Sequence, residues 1–221
     1  MTADDPHFGG EVLTAGAKLR GAAGAMVLMH GRGGSAADIV ALGREIAPRE
    51  MALIAPEAAG NSWYPHSFLA PIAQNEPWLS SALHLVETLV LRCAAEGVAA
   101  ERVVLCGFSQ GGCLATEFVA RHPRRYGALV AFTGGLIGPS GSDLRHAGRL
   151  DGMPALLSSG DPDPHVPWAR VAESAQILQE MGAEVETRRW AGRPHTVLPD
   201  EVELARGIVS GVRGRGSGVR S

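Results

Sequence analysis

Ser109 lies in Gly107-Phe108-Ser109-Gln110-Gly111, a G-x-S-x-G pentapeptide in which a serine can act as a nucleophile. A serine hydroxyl is weak in that role until a histidine takes its proton. The histidine in turn needs a carboxylate to fix its tautomer and to stabilise its cationic form. Both follow in order along the chain. Asp163 lies in Ser158-Ser-Gly-Asp161-Pro-Asp163-Pro-His165-Val-Pro167, and His195 lies in Ala191-Gly-Arg-Pro-His195-Thr196. Converging in space, the three could run acyl transfer through a covalent intermediate. Asp161 is the competing carboxylate, better suited to shaping a turn. His165 is the competing base, but it stands too near Asp163 in sequence to face it across a cleft, and it lines the pocket instead.

The pentapeptide alone is a weak signal in a chain with 29 glycines. Its setting is stronger, because an apolar run, Val103-Val-Leu-Cys106, precedes it and a helical stretch, Gly111 to Arg121, follows. A sharp strand-to-helix turn strains the serine backbone and leaves no room for side chains two residues either way, hence the glycines. It also sets the hydroxyl at a helix N-terminus, where peptide dipoles favour developing negative charge. The plainer alternative is a helix cap, with Gly111 and Gly112 permitting tight packing.

His30-Gly31-Arg32-Gly33-Gly34 follows the first confident apolar run. Glycines there let backbone N–H groups approach a substrate carbonyl. The amides of Arg32 and Gln110 are the expected oxyanion donors, each such donor being typically worth about 3 kcal/mol in the transition state. The segment lacks both the G-x-G-x-x-G order and a Gly-Lys-Ser/Thr ending, which disfavours nucleotide binding. His30 is expected to brace the loop. The Arg32 side chain is expected in solvent, the alternative being that it leans over the cleft and favours acidic substrates.

These groups need a frame. Short apolar runs recur at Ala25 to Met29, Ala52 to Ala55, Arg102 to Cys106, Ala128 to Phe132, Pro154 to Leu157 and Val185 to Trp190, as in strands covered on both faces. Helical stretches alternate with them: Ala36 to Ala47, Leu79 to Glu96, Gln110 to Arg121, Trp168 to Met181 and Asp200 to Val212. Gly97 and Gly182 mark helix ends, and His122-Pro123 marks another. The alternation predicts an α/β fold with a mostly parallel, doubly wound sheet and helices on both faces. Glu11 to Ala15, with Lys18 to Arg20, is expected as an antiparallel edge hairpin. The segment from Pro56 to Trp78 is a long, aromatic-bearing connection, and Gly134 to Gly152 is expected to form a mobile rim.

At 221 residues the chain can bury roughly 70% of its unfolded surface in one domain, here 1–212, leaving 213–221 as a flexible Gly/Arg/Ser tail. A net charge of −3 offers no broad positive field for nucleic acid. No apolar run reaches the roughly 20 residues of a membrane span, and the acidic first ten residues do not read as a secretory signal. A cytoplasmic location follows as the expectation. Cys93, Cys106 and Cys113 show no metal spacing and are expected as buried free thiols, with no metal.

With these residues in place, the chain resembles the carboxylesterase/phospholipase family of α/β-hydrolases, which includes acyl-protein thioesterases. Leu28-Met-His30-Gly31-Arg32-Gly33-Gly34 is similar to the family's oxyanion loop, Gly107-Phe-Ser109-Gln110-Gly111-Gly112 to its nucleophile motif, and Gly160-Asp-Pro-Asp163-Pro-His-Val166-Pro167 to its acid motif. The resemblance runs from about Ala25 to Val212. It implies an α/β-hydrolase fold without a cap domain and cofactor-free cleavage of a small ester through an acyl-enzyme. Thioesters and lysophospholipids are the alternative substrates, and a catalytically silent receptor is the alternative from another class. It leaves a homodimer open. Trp63-Tyr64-Pro65 is similar to the family's acyl-site wall, the equal alternative being that its aromatics pack over the sheet edge; Trp63 and Tyr64, with His165 and Val166, are the expected pocket residues. Arg32, and Arg193-Pro194 ahead of His195, depart from the usual small or apolar residues.

Overall fold

The computed structural model describes residues 5–212, so the expected tail at 213–221 lies outside the described residues. The elements run β1 (Val12–Gly16), β2 (Gly24–Met29), α1 (Ala36–Ile46), β3 (Met51–Pro56), α2 (Ile72–Asn75), α3 (Trp78–Ala95) and β4 (Val103–Phe108). Then come α4 (Gln110–Arg121), β5 (Ala128–Phe132), β6 (Pro154–Asp161), α5 (Trp168–Glu180), β7 (Glu184–Ala191) and α6 (Pro199–Gly211). Helices α4 and α3 end as their local chemistry dictates. Pro123 stops α4 at Arg121, and Gly97 follows α3 with φ +90°, a conformation glycine adopts without penalty.

The strands form one sheet in the order β1-β3-β2-β4-β5-β6-β7, parallel except for β1. Successive side chains of the central strands divide between its faces. Val27, Met29, Leu105 and Leu129 join the core under α3, α4 and α5, whereas Met26, Leu28, Val104, Cys106 and Val130 join the core under α1 and α6. Burial of each such side chain contributes roughly 1.5–3 kcal/mol before the entropy cost of ordering it. This is the α/β-hydrolase architecture, with no cap domain among the described residues. Among those residues, too, no helix is long and apolar enough to cross a membrane.

Two sequence expectations need correction. Lys18 to Arg20 form no strand, because β1 pairs directly with β3 (Val12 opposite Pro56, Gly16 opposite Ala52) and Gly16 then turns the chain away at φ +70°. The segment 134–152, expected as a mobile rim, is anchored at its start. The Leu136 N–H donates to Ser174 Oγ and the Ile137 N–H to the Glu117 carboxylate, both at 2.8 Å, while Leu144 and Leu150 are buried.

The parallel strands end in step. Met29 is level with Gly107, Phe108 with Phe132, and Phe132 with Ser158. The turns that follow β2, β4, β5, β6 and β7 therefore gather at one edge of the sheet, where ligands bind in open α/β sheets.

Candidate active site

Ser109 occupies the turn between β4 and α4 with φ 55° and ψ −118°, and its side chain caps no helix N–H. Its own N–H donates to Phe132 O at 2.9 Å, which ties the turn to the end of β5. The flanking glycines are sterically obligatory: a Cβ on Gly107 would stand 2.2 Å from Gly111 O, and one on Gly111 would stand 2.1 Å from Met29 O. The helix-cap alternative for Ser109 fails, since the hydroxyl is turned outward to a histidine.

That histidine is His195, on the loop between β7 and α6. Ser109 Oγ lies 2.8 Å from His195 Nε2, and His195 Nδ1 lies 2.8 Å from Asp163 Oδ2. An ionised carboxylate only accepts, so Nδ1 carries the proton, and Nε2 presents its lone pair to the serine hydroxyl. The other Asp163 oxygen accepts the N–H groups of His165 and Val166, each at 2.9 Å. Burial pushes the Asp163 carboxyl up, but the hydrogen bonds from His195, Val166 and His165 outweigh it and hold the group below its ordinary range. Asp161 turns elsewhere, its carboxylate accepting from Arg189 Nε at 2.6 Å.

The glycine-rich turn after β2 reaches this group, since a Cβ on Gly31 would sit 3.5 Å from Ser109 Cβ. Among the described residues the amide N–H groups of Arg32 and Gln110 meet no acceptor, Gln110 being the first residue of α4. His30 is buried and braces the turn as expected: its Nε2 accepts from the Ala58 N–H at 3.1 Å, and its carbonyl accepts from Trp63 Nε1 at 2.8 Å.

A cleft of about 450 Å³ opens over Ser109, with Tyr64, Phe68, Phe108, Cys113, His165 and Val166 in its wall. Tyr64, His165 and Val166 thus line this cleft. Trp63 does not. Its indole is fully buried against His7 and His30, behind the wall, because the chain alternates direction here and Tyr64 takes the inward position. Arg32 is exposed at the rim of the cleft, as expected, but its guanidinium is not free: it donates to the carbonyls of Tyr64 (2.9 Å), Pro65 (3.0 Å) and His66 (2.8 Å).

Sequence reading missed Phe108, whose ring lies 5.0 Å from that of His195, although its place beside Ser109 in the pentapeptide was the available signal. It also missed Cys113, one helical turn past Ser109 in α4. Burial pushes that thiol up to about 12, so it is no rival nucleophile. All three cysteines are free and buried, as expected.

Residues 16–210 match the family described as Phospholipase/Carboxylesterase. A solved phospholipase/carboxylesterase from Dyadobacter fermentans superposes with a TM-score of 0.88 at 45% identity, over 91% of this chain and 96% of that one. Acyl-protein thioesterase 1 of Saccharomyces cerevisiae is 29% identical over 126 residues, 56% of this chain and 55% of its own length. A protein of Oryza sativa named "Probable carboxylesterase Os04g0669500" is 28% identical over 131 residues, 58% of this chain and 48% of its own length. The chain thus spans about half the length of these curated relatives. With the match to the family running through the glycine-rich turn after β2, the serine turn and both downstream loops, the chain belongs to the phospholipase/carboxylesterase family.

Proposed function

We propose that this protein hydrolyses carboxylic esters of short to medium acyl chains, with Ser109 as nucleophile, His195 as general base and acid, and Asp163 as its orienting carboxylate. The observation that carries the proposal is the position of His195, 2.8 Å from Ser109 Oγ on one side and 2.8 Å from Asp163 Oδ2 on the other. Ser109 Oγ attacks the ester carbonyl as His195 Nε2 takes its proton, and the oxyanion is received by the amides of Arg32 and Gln110. The imidazolium, stabilised by Asp163, then gives the proton to the departing alcohol, leaving an acyl-serine. Water attacks that acyl-enzyme with His195 again as base, and the acid leaves.

The cleft walled by Tyr64, Phe68 and Val166 is the site we assign to the acyl chain. A second depression, of about 360 Å³, shares Gly31, Arg32, Phe108 and His195 with it and is lined further on by Ile39, Leu42 and Val197. An ester seated on Ser109 can extend into both. The apolar side chains among these walls, Phe68, Val166, Ile39, Leu42 and Val197, suit neutral chains, and thioester or lysophospholipid substrates would use the same chemistry.

Hydrolysis of p-nitrophenyl acetate and butyrate, compared with Ser109→Ala, tests the proposal. Activity in the natural protein with loss of about 10⁴-fold or more in the variant is expected. Equal rates in the two proteins would refute the assignment. Labelling by a fluorophosphonate separates an enzyme from a silent receptor, which would form no Ser109 adduct.

A further inference from the structure

His195 is delivered by a loop, and a loop must be held if its imidazole is to stay within hydrogen-bond reach of Ser109 Oγ. Two residues before His195, the Arg193 side chain runs inward and is only 4% exposed. Its Nη2 donates to Thr133 Oγ1 at 2.7 Å. Its Nε lies 3.5 Å from Glu201 Oε2, and that carboxylate is fully buried in the first turn of α6. A buried guanidinium and a buried carboxylate are each costly alone, so the pair is an arrangement the fold has to maintain.

Its partners reach both ends of the loop. Glu201 accepts the Leu198 N–H at 2.8 Å, which fixes the exit of the loop into α6. The same carboxylate accepts the Ser158 hydroxyl, and Ser158 Oγ accepts Trp190 Nε1 at 2.9 Å, which fixes the entry from β7. The backbone of Arg193 comes so close to β6 that a Cβ on Gly160 would stand 2.8 Å from Arg193 O.

Thr133 matters most. It follows Phe132, whose carbonyl holds the Ser109 N–H at 2.9 Å, and it is locked at φ 52° with its N–H on Ser158 O at 2.5 Å. A closed ring therefore runs from Ser109 through Phe132 and Thr133 to Arg193, along Pro194 to His195, and back to Ser109 Oγ. From this ring we infer that Arg193, neutralised by Glu201, is a positioning residue that sets the distance between the catalytic base and the nucleophile. The inference rests on the proposed roles of Ser109 and His195.

The experiment compares Arg193→Met, Arg193→Lys, Thr133→Val and the double variant Arg193→Met/Glu201→Gln in p-nitrophenyl butyrate hydrolysis, fluorophosphonate labelling and thermal melting. The double variant leaves no uncompensated buried charge. It is expected to melt close to the natural protein yet lose ~10- to 100-fold in kcat, with KM within about twofold and labelling slowed in proportion. Thr133→Val, which removes one acceptor and no charge, should lose several-fold in kcat in the same pattern, and Arg193→Lys should regain part of what Arg193→Met loses. A folded double variant with unchanged kcat, or losses carried by KM alone, would overturn the inference. Should the natural protein itself fail to label, the ester-hydrolase proposal falls instead.

Discussion

Arg32 and Gln110 hold the same carbonyl oxygen, that of Tyr64, the first through Nη2 at 2.9 Å and the second through Nε2 at 2.8 Å. Gln110 Oε1 also accepts the Trp63 N–H at 3.0 Å. These are the two residues whose free amides we assign to the oxyanion, so their side chains join the acyl wall to the transition-state donors as one unit.

The wall should therefore loosen when the guanidinium is removed. Arg32→Met keeps the backbone amide but loses three hydrogen bonds to 64–66, and kcat/KM for neutral esters should fall roughly tenfold, a loss near 1.4 kcal/mol. The preference between acetate and butyrate should narrow with it. Arg32→Lys should recover little, because an ammonium cannot match the planar fork across neighbouring carbonyls. Steady-state kinetics with the two esters decide the matter: an effect confined to anionic esters would mean that Arg32 serves the ligand and not the wall.

The pH profile follows from Asp163. Its carboxyl is held below the ordinary carboxylate range, so it stays ionised throughout the range in which an imidazole loses its proton. Since His195 must be neutral to accept the serine proton, log kcat/KM should rise with pH through a single ionisation, with a slope of one. A slope of two on the acid limb would show the carboxylate titrating alongside. Asp163→Asn should leave the geometry but stabilise the wrong tautomer, lowering kcat by roughly 10³- to 10⁴-fold.

Much of this site was legible in the residues because each part is a local pattern. The serine turn combines an apolar run, two glycines and a helix start, and the acid and base lie just after further apolar runs. What could not be read depends on contacts between distant segments. The side chain of Arg32 finds its acceptors more than thirty residues away, and Arg193 meets Thr133 sixty residues away. Trp63 and Tyr64 are adjacent and both fully buried, and which ring faces the cleft shows only in the fold, where Trp63 packs on the distant His7 and His30 while Tyr64 lines the cleft. Likewise β1 pairs with β3 and not with its sequence neighbour β2, which already has β3 and β4 on its two sides.

Acid should weaken the support behind the serine helix. Glu117 is buried in α4 and accepts from the Ile137 N–H at 2.8 Å and from Arg121 Nε at 2.6 Å, with His146 Nε2 3.6 Å away. Burial acts to raise its carboxyl, yet the partners His146, Arg121 and Ile137 prevail and hold it below the ordinary range. A group with a depressed folded pKa stabilises fully above its unfolded value, about 4.3, and loses that contribution as pH falls through the folded value. Glu117→Gln should therefore cost roughly 3 kcal/mol near pH 7, and the gap in melting temperature should close as pH drops below about 4. A gap independent of pH would exclude the ionised carboxylate as its source.

The serine turn should tolerate no methyl group at Gly111. A Cβ there would lie 2.1 Å from Met29 O and 2.6 Å from His30 O, both backbone atoms of the strand end that carries the oxyanion turn. Relief requires α4 to shift away from β2, which draws the Gln110 amide from the Ser109 hydroxyl and breaks the close approach of Gly31 to Ser109. Gly111→Ala should cost at least 3 kcal/mol in stability, in line with overpacking of a rigid core, and reduce kcat about 10²-fold in whatever folded protein remains. Gly33 gives the contrast: a Cβ there meets nothing within 4 Å, though its φ of +75° strains any other residue, so Gly33→Ala should cost only about 1 kcal/mol. Melting temperatures and p-nitrophenyl butyrate kinetics on both variants check the difference, and a loss at Gly111 no greater than that at Gly33 would show that the closeness of strand and helix does not demand the glycine in the serine turn.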